Sequence, residues 1–199
     1  MSHCCRFMAL LAATLAGTSV AAPNVLYAAP APALTTSRSA ATLAAEAPRT
    51  VDDVIAGLYA GVSGAANEVR DWTAFAGLFV PDARIGVTTA QAGKGVEVQL
   101  MDVAAFAALN DRVFAGRGFF ETELHREQSG YGDILHVWSV YEARRAPGDA
   151  PYARGANSLQ LVRTPEGWRI ASLTWDRERN GQPLASRFTL PADAQAVAP

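Results

Sequence analysis

RGANSLQLVRTPEGWRIASLTWDR, running from Arg154 to Arg177, is the stretch whose reading decides the fold. Two runs rich in aliphatic and aromatic residues flank Thr164-Pro165-Glu166-Gly167, which has the chemistry of a tight turn. Taken as a two-residue hairpin, it pairs Gln160 with Ala171, Ser158 with Leu173 and Ala156 with Trp175. Strand alternation then sets these six residues on one face.

Upstream lie two more β-rich runs, Phe119 to Gln128 and Asp133 to Arg145, separated by Ser129-Gly130-Tyr131-Gly132 and followed by Ala146-Pro147-Gly148-Asp149. Four such runs in succession predict an antiparallel meander. The run from Asp133 is apolar on both faces: Ile134, Trp138 and Val140 point one way, Leu135, Val137 and Tyr141 the other. One face should therefore cover helices and a cavity, and the other should pack on something else, most simply a second copy of the chain.

Before Gly118 the period is helical. Thr50 with Asp52 and Asp53 has the form of a capped helix start, and Val54, Leu58 and Val62 follow at intervals of four. A second helix is predicted from Asp71, with Trp72, Phe75, Ala76 and Phe79 as its stripe and Pro81-Asp82 as its stop. A third runs from Asp102 to about Phe114. Helices first and a meander afterwards give an α+β class: three N-terminal helices on a strongly curved antiparallel sheet, one domain over residues 50–188.

The chain has 199 residues, half of them hydrophobic, and a formal net charge of −2, which suits a single packed domain and not a general nucleic-acid binder. Residues 1–29 begin with Arg6, continue through an apolar stretch to Ala16 and end in small residues, the layout of a cleaved signal peptide. The expectation is a secreted or periplasmic protein with no stable membrane insertion once the leader is removed. Residues 30–49 are Ala- and Pro-rich and read as a flexible linker, and 189–199 as a disordered tail. Both cysteines, Cys4 and Cys5, lie in the leader, so thiol chemistry and cysteine metal sites are not expected in the domain.

The residues Asp71-Trp72-x-x-Phe75-x-x-Leu78-Phe79-x-Pro81-Asp82-Ala83, Tyr141-Glu142, Arg154 to Leu161, and Gly167-Trp168-Arg169-Ile170 leading to Trp175 resemble the nuclear transport factor 2 superfamily, with its SnoaL-like cyclases and ketosteroid isomerases. The resemblance implies a cone-shaped fold. It also implies that the isomerase base position falls at about Val87, which cannot take a proton, and the donor-acid position at Gln160, with Tyr59 near the tyrosine donor. Isomerase chemistry in that form is not supported.

By the same overlay the face carrying Gln160, Ser158, Leu173 and Trp175 is the concave one, and it gathers His136, Trp138 and Val140. His136 and Gln160 are then the candidate catalytic pair, His136 as the group able to move a proton near neutral pH. Tyr59, Trp72, Phe75, Phe79, Trp138, Val140, Ser158, Leu173 and Trp175 are the candidate ligand-binding residues. A register error of one residue would bring in Ser139 and Tyr141 instead. His125, among Glu121, Glu123, Arg126 and Glu127, reads as part of a solvated strand face. With two histidines outside the leader, neither metal nor cofactor is expected. The sequence thus points to an exported domain binding a small, mostly apolar molecule, with isomerase-, dehydratase- or cyclase-type acid–base turnover left unassigned. The rival reading is a non-catalytic partner-binding module using the outer sheet face. A homodimer is expected through Leu159, Leu161, Trp168 and Ile170.

Overall fold

A computed structural model describes residues 48–91, 95–179 and 181–194. The predicted signal peptide and nearly all of the linker lie outside them. Helix α1 (Val51–Val62) starts where Thr50 and Asp53 cap each other's backbone N–H groups, at 3.1 and 2.8 Å. Helix α2 (Trp72–Ala76) is a short turn capped by Asp71. The next helix, α3 (Val103–Phe114), is capped by Asp102, whose carboxylate accepts from the Ala105 amide at 2.7 Å.

Between α2 and α3 runs a strand pair that the sequence reading missed, β1 (Phe79–Gln91) and β2 (Gly95–Met101). Phe79 belongs to β1 and not to a helix. Pro81-Asp82 does not end an element. It forms an irregularity inside β1, where the register shifts between Phe79 and Arg84 and Asp82 takes a φ of 63°. The helices therefore do not form one N-terminal block.

The strands β3 (Phe120–Tyr131), β4 (Ile134–Arg144), β5 (Ala153–Thr164) and β6 (Gly167–Arg177) complete the sheet. Its order is β2-β1-β6-β5-β4-β3. All neighbours are antiparallel except β1 and β6, which run parallel, so the sheet is curled and mixed where a purely antiparallel one was expected. The class is α+β as read.

Gly167 closes the β5–β6 turn at a φ of 104°, and a Cβ there would stand 2.2 Å from the Arg49 nitrogen. The hairpin starts in the expected register, Thr164 opposite Gly167. It then shifts by one residue, because Ala171 bulges between the pairs Leu161–Ile170 and Gln160–Ser172. Beyond the bulge Leu159 faces Leu173 and Asn157 faces Trp175.

That shift sorts the faces. Val137, Tyr141, Leu159, Leu161, Ile170 and Leu173 join Val54, Leu58, Tyr59, Phe75 and Phe106 in the main core, under the helices. On the opposite face Val140 and Ala156, with Trp138 beside them, are covered by Leu184, Phe188, Leu190 and Ala194 from the chain after β6. Part of the segment read as a disordered tail thus packs there: Leu190 and Ala194 are buried, and Arg154 donates to the Ala194 carbonyl. Arg154 also pairs with buried Glu142 at 3.2 Å.

The dimer face proposed from sequence needs correction. Leu159, Leu161 and Ile170 are each 0% exposed within a single chain and cannot meet a partner. The expectation applied an unbulged register, which put the inner face outside.

Candidate functional site

A cavity of about 270 Å³ lies between the helices and the inner face of the sheet. Its floor is apolar. Leu58 and Val62 of α1, Phe75 of α2 and Phe106 of α3 meet Leu173 and Trp175 of β6. The rings are held by each other: Phe106 stacks on Phe75 at 5.5 Å and stands edge-on to Trp175 at 6.0 Å. Trp72 and Phe79 stand behind this wall, 5.5 and 5.1 Å from Phe75, and Trp72 Nε1 donates to Asp111 at 2.5 Å.

Four polar residues break the apolar lining from the sheet side: Glu121 (β3), Tyr141 (β4), Asn157 (β5) and Arg177 (β6). Burial pushes the Glu121 carboxyl up to about 8, and the nearby charge of Arg177 opposes that rise without cancelling it. At neutral pH Glu121 is therefore a proton donor. Burial also raises the Tyr141 phenol, the Glu121 charge adds to it, and Arg177, which bonds to Tyr141, works against both.

Tyr59 sits one layer deeper. Its hydroxyl is 2.6 Å from Ser139 Oγ, which lies 2.5 Å from Glu123, and Asn157 Nδ2 is 3.2 Å from the tyrosine oxygen. The carboxylate of Glu123 can only accept, which fixes every direction in the chain. Ser139 donates to Glu123, Tyr59 donates to Ser139, and Asn157 donates to Tyr59. Arg126 closes the outer end with two bonds to Glu123, at 2.9 and 2.6 Å, and reaches Asp52 at 2.5 Å. The Tyr59 proton is thus committed to Ser139, while Asn157 carries the chain into the cavity wall.

The structure divides the expected site. Phe75, Leu173 and Trp175 line the cavity. His136, Trp138, Val140, Ser158 and Gln160 lie on the other face of β4 and β5, where His136 is paired with Gln160 and Trp138 with Ser158. His136 Nε2 meets Ser158 Oγ at 3.0 Å and its ring stands against Trp138. Trp138 and Ser158 contribute to a hollow under Leu184 and Phe188, a different place from the cavity. The Ala171 bulge is the physical cause: it keeps Leu173 and Trp175 inward while Ser158 and Gln160 turn outward. Among the described residues, no group of three or more His, Cys, Asp and Glu side chains could hold a metal ion.

By sequence the chain matches no family model and no curated protein. By structure it resembles several solved chains. A chain from Novosphingobium aromaticivorans, assigned as the beta subunit of an aromatic-ring-hydroxylating dioxygenase, is 15% identical with a TM-score of 0.50, over 65% of this chain and 87% of that one. A protein of unknown function with a cystatin-like fold from Nostoc punctiforme is 10% identical with a TM-score of 0.50, over 64% and 88%. An NTF2-like protein of unknown function from Shewanella baltica is 13% identical with a TM-score of 0.46, over 64% and 90%. The fold is shared with the first two of these chains, and the Nostoc protein gives it the name cystatin-like.

Within this fold the residue that sequence reasoning missed is Glu121. It was read as part of a solvated strand, yet it pairs with Ala143 and lines the cavity beside Tyr141. The turn at Gly132-Asp133, which pairs Tyr131 with Ile134, would by itself set Glu121 opposite Arg144 and on the outer face. A bulge between Glu123 and His125 shifts it opposite Ala143 and inward, and no local rule in the sequence marks that bulge.

Proposed function

We propose that this chain binds a small, mostly apolar molecule in the inner cavity and performs acid–base chemistry on it without a cofactor, with Glu121 as the proton-transfer group. The observation that carries this reading is a half-buried carboxyl that lines an aromatic-walled cavity and is pushed by desolvation up to about 8. Neutral Glu121 can donate to a ligand oxygen, and once ionised it can take a proton from an adjacent carbon, the exchange that isomerase-, dehydratase- and cyclase-type reactions share. Asn157 and Tyr141 flank the place where such an oxygen would sit. His136 and Gln160 have no part in this version. Export through the N-terminal leader belongs to the same proposal.

The neutral aromatic 2-naphthol is a suitable binding probe. It should quench tryptophan emission saturably in the wild type. Val113→Trp, at a half-exposed position of the cavity wall, should fold normally and bind at least tenfold more weakly. Equal binding by both proteins would sink the cavity as the site.

A second reading rests on β2. Val96, Val98 and Leu100 are 58%, 58% and 65% exposed, one apolar row on an edge strand, which favours pairing with a second copy of the chain. Sedimentation at micromolar concentration should then give a dimer that Val98→Lys converts to monomer, and a wild-type monomer would count against it.

A further inference from the structure

The mouth of the cavity is built differently from its floor. Arg117 from the segment after α3, Arg145 after β4 and Arg177 at the end of β6 all line the same cavity. Six other arginines of the chain, Arg126, Arg144, Arg154, Arg163, Arg179 and Arg187, pair with carboxylates. None of the three at the mouth does so among the described residues. Arg145 lies instead over the Tyr152 ring at 3.8 Å, and Arg177 bonds to Tyr141. A chain with a net charge of −2 has thus gathered three cations from three separate segments around one opening.

The remaining charge at the cavity reinforces the asymmetry. Among the described residues the sole acid in its lining is Glu121, which is protonated at neutral pH. Three guanidinium groups that share a cleft with no resident counter-ion repel one another. An incoming anion relieves that repulsion and finds planar, forked donors suited to a carboxylate.

Resting on the reading that this cavity is the ligand site, we propose that the ligand is an aryl carboxylate, its ring against Phe75, Phe106 and Trp175 and its carboxylate among Arg117, Arg145 and Arg177. The size agrees. A cavity of roughly 150 Å³ holds a benzene ring, so one of about 270 Å³ takes a ring with a short acid side chain, on the order of ten non-hydrogen atoms. A purely apolar ligand would leave the cations at the mouth unanswered. A polyanion would have to bring its further charges to an apolar floor.

Cinnamate and cinnamyl alcohol share a ring and a side-chain length and differ in charge, so the pair separates anion recognition from simple filling of the cavity. Titration calorimetry on the full chain should show cinnamate binding at least tenfold tighter than the alcohol at pH 6.5 and low salt. The preference should shrink as salt rises from about 50 to 500 mM. In Arg117→Gln/Arg145→Gln the ratio of the two affinities should fall to about one, and Val113→Trp should weaken both ligands together. Equal affinities of acid and alcohol in the wild type would overturn the anion proposal and leave the cavity reading standing. So would a preference that survives the double substitution. Binding of neither compound would overturn both.

Discussion

Glu121→Gln is expected to make the protein more stable above neutral pH and to abolish most of its loss of stability between about pH 4.5 and 8. The folded state holds the Glu121 proton up to about pH 8, whereas an unfolded chain releases it near 4.5. Inside that window unfolding releases a proton, so stability falls as pH rises, by about 1.4 kcal/mol per pH unit for one group. The contribution is complete below the lower value and gone above the upper one. The groups around Glu121 do not mask this. The Tyr59, Tyr141 and Tyr152 phenols are all raised by burial, away from the window. Urea midpoints measured from pH 4.5 to 9 should slope downward for the wild type and stay nearly level for the variant, and two parallel curves would refute the burial of this carboxyl. On a verified substrate the same substitution should lower turnover about 100-fold, since the amide keeps the shape and removes the transferable proton.

Gly155→Ala should be one of the most damaging single-methyl changes in the sheet. A Cβ at this position would lie 2.4 Å from the Asp176 carbonyl oxygen and 2.4 Å from the Tyr141 hydroxyl. The first is backbone of the neighbouring strand β6. The second belongs to a side chain that is 4% exposed. Overpacking of this kind costs about 3 kcal/mol, and here the displacement also moves a cavity wall. Tyr141→Phe removes one of the three obstructing atoms and leaves the ring carbon Cζ at 2.6 Å and the backbone oxygen in place, so Gly155→Ala should cost somewhat less in that background and the rescue should be partial. Chemical denaturation of the four proteins gives the cycle, and additive losses would show that the hydroxyl is not the obstruction.

The sequence was informative where local chemistry rules. Thr50 and Asp53 announce the start of α1, Asp102 that of α3, and Thr164 to Gly167 the β5–β6 turn, and each does its work within a few residues of itself. The pair β1 and β2 was lost for another reason. Pro81-Asp82 has the signature of a stop, and only the fold shows it as a bulge, although the alternation Val96-Glu97-Val98-Gln99-Leu100 was there to be read. The site depended on parity along β6, and parity was changed by one extra residue, Ala171, that no local rule singles out. Every inward candidate on β4 and β5 was therefore exchanged for its neighbour: Ser139 and Tyr141 for Trp138 and Val140, Asn157 for Ser158. The aromatic floor was legible because Phe75, Leu173 and Trp175 lie on the side that the shift left inward.

The parallel contact between β1 and β6 also sets the order of assembly. Ile85 stands beside Leu173, and Val87 beside Trp175, so β1 waits through the synthesis of four further strands before its second neighbour exists. Until then one edge of the β1–β2 hairpin is open and the helices have no complete sheet to cover. Pairings so distant along the chain are slow to form, and an unpaired edge is a place where nascent chains stick together. Of the residues that line the cavity Trp175 and Arg177 are made last, so the cavity is complete only once β6 has been synthesised. A ribosome stalled before Gly167 would carry the β1–β2 hairpin, the β3–β4–β5 meander and three helices with nothing to enclose.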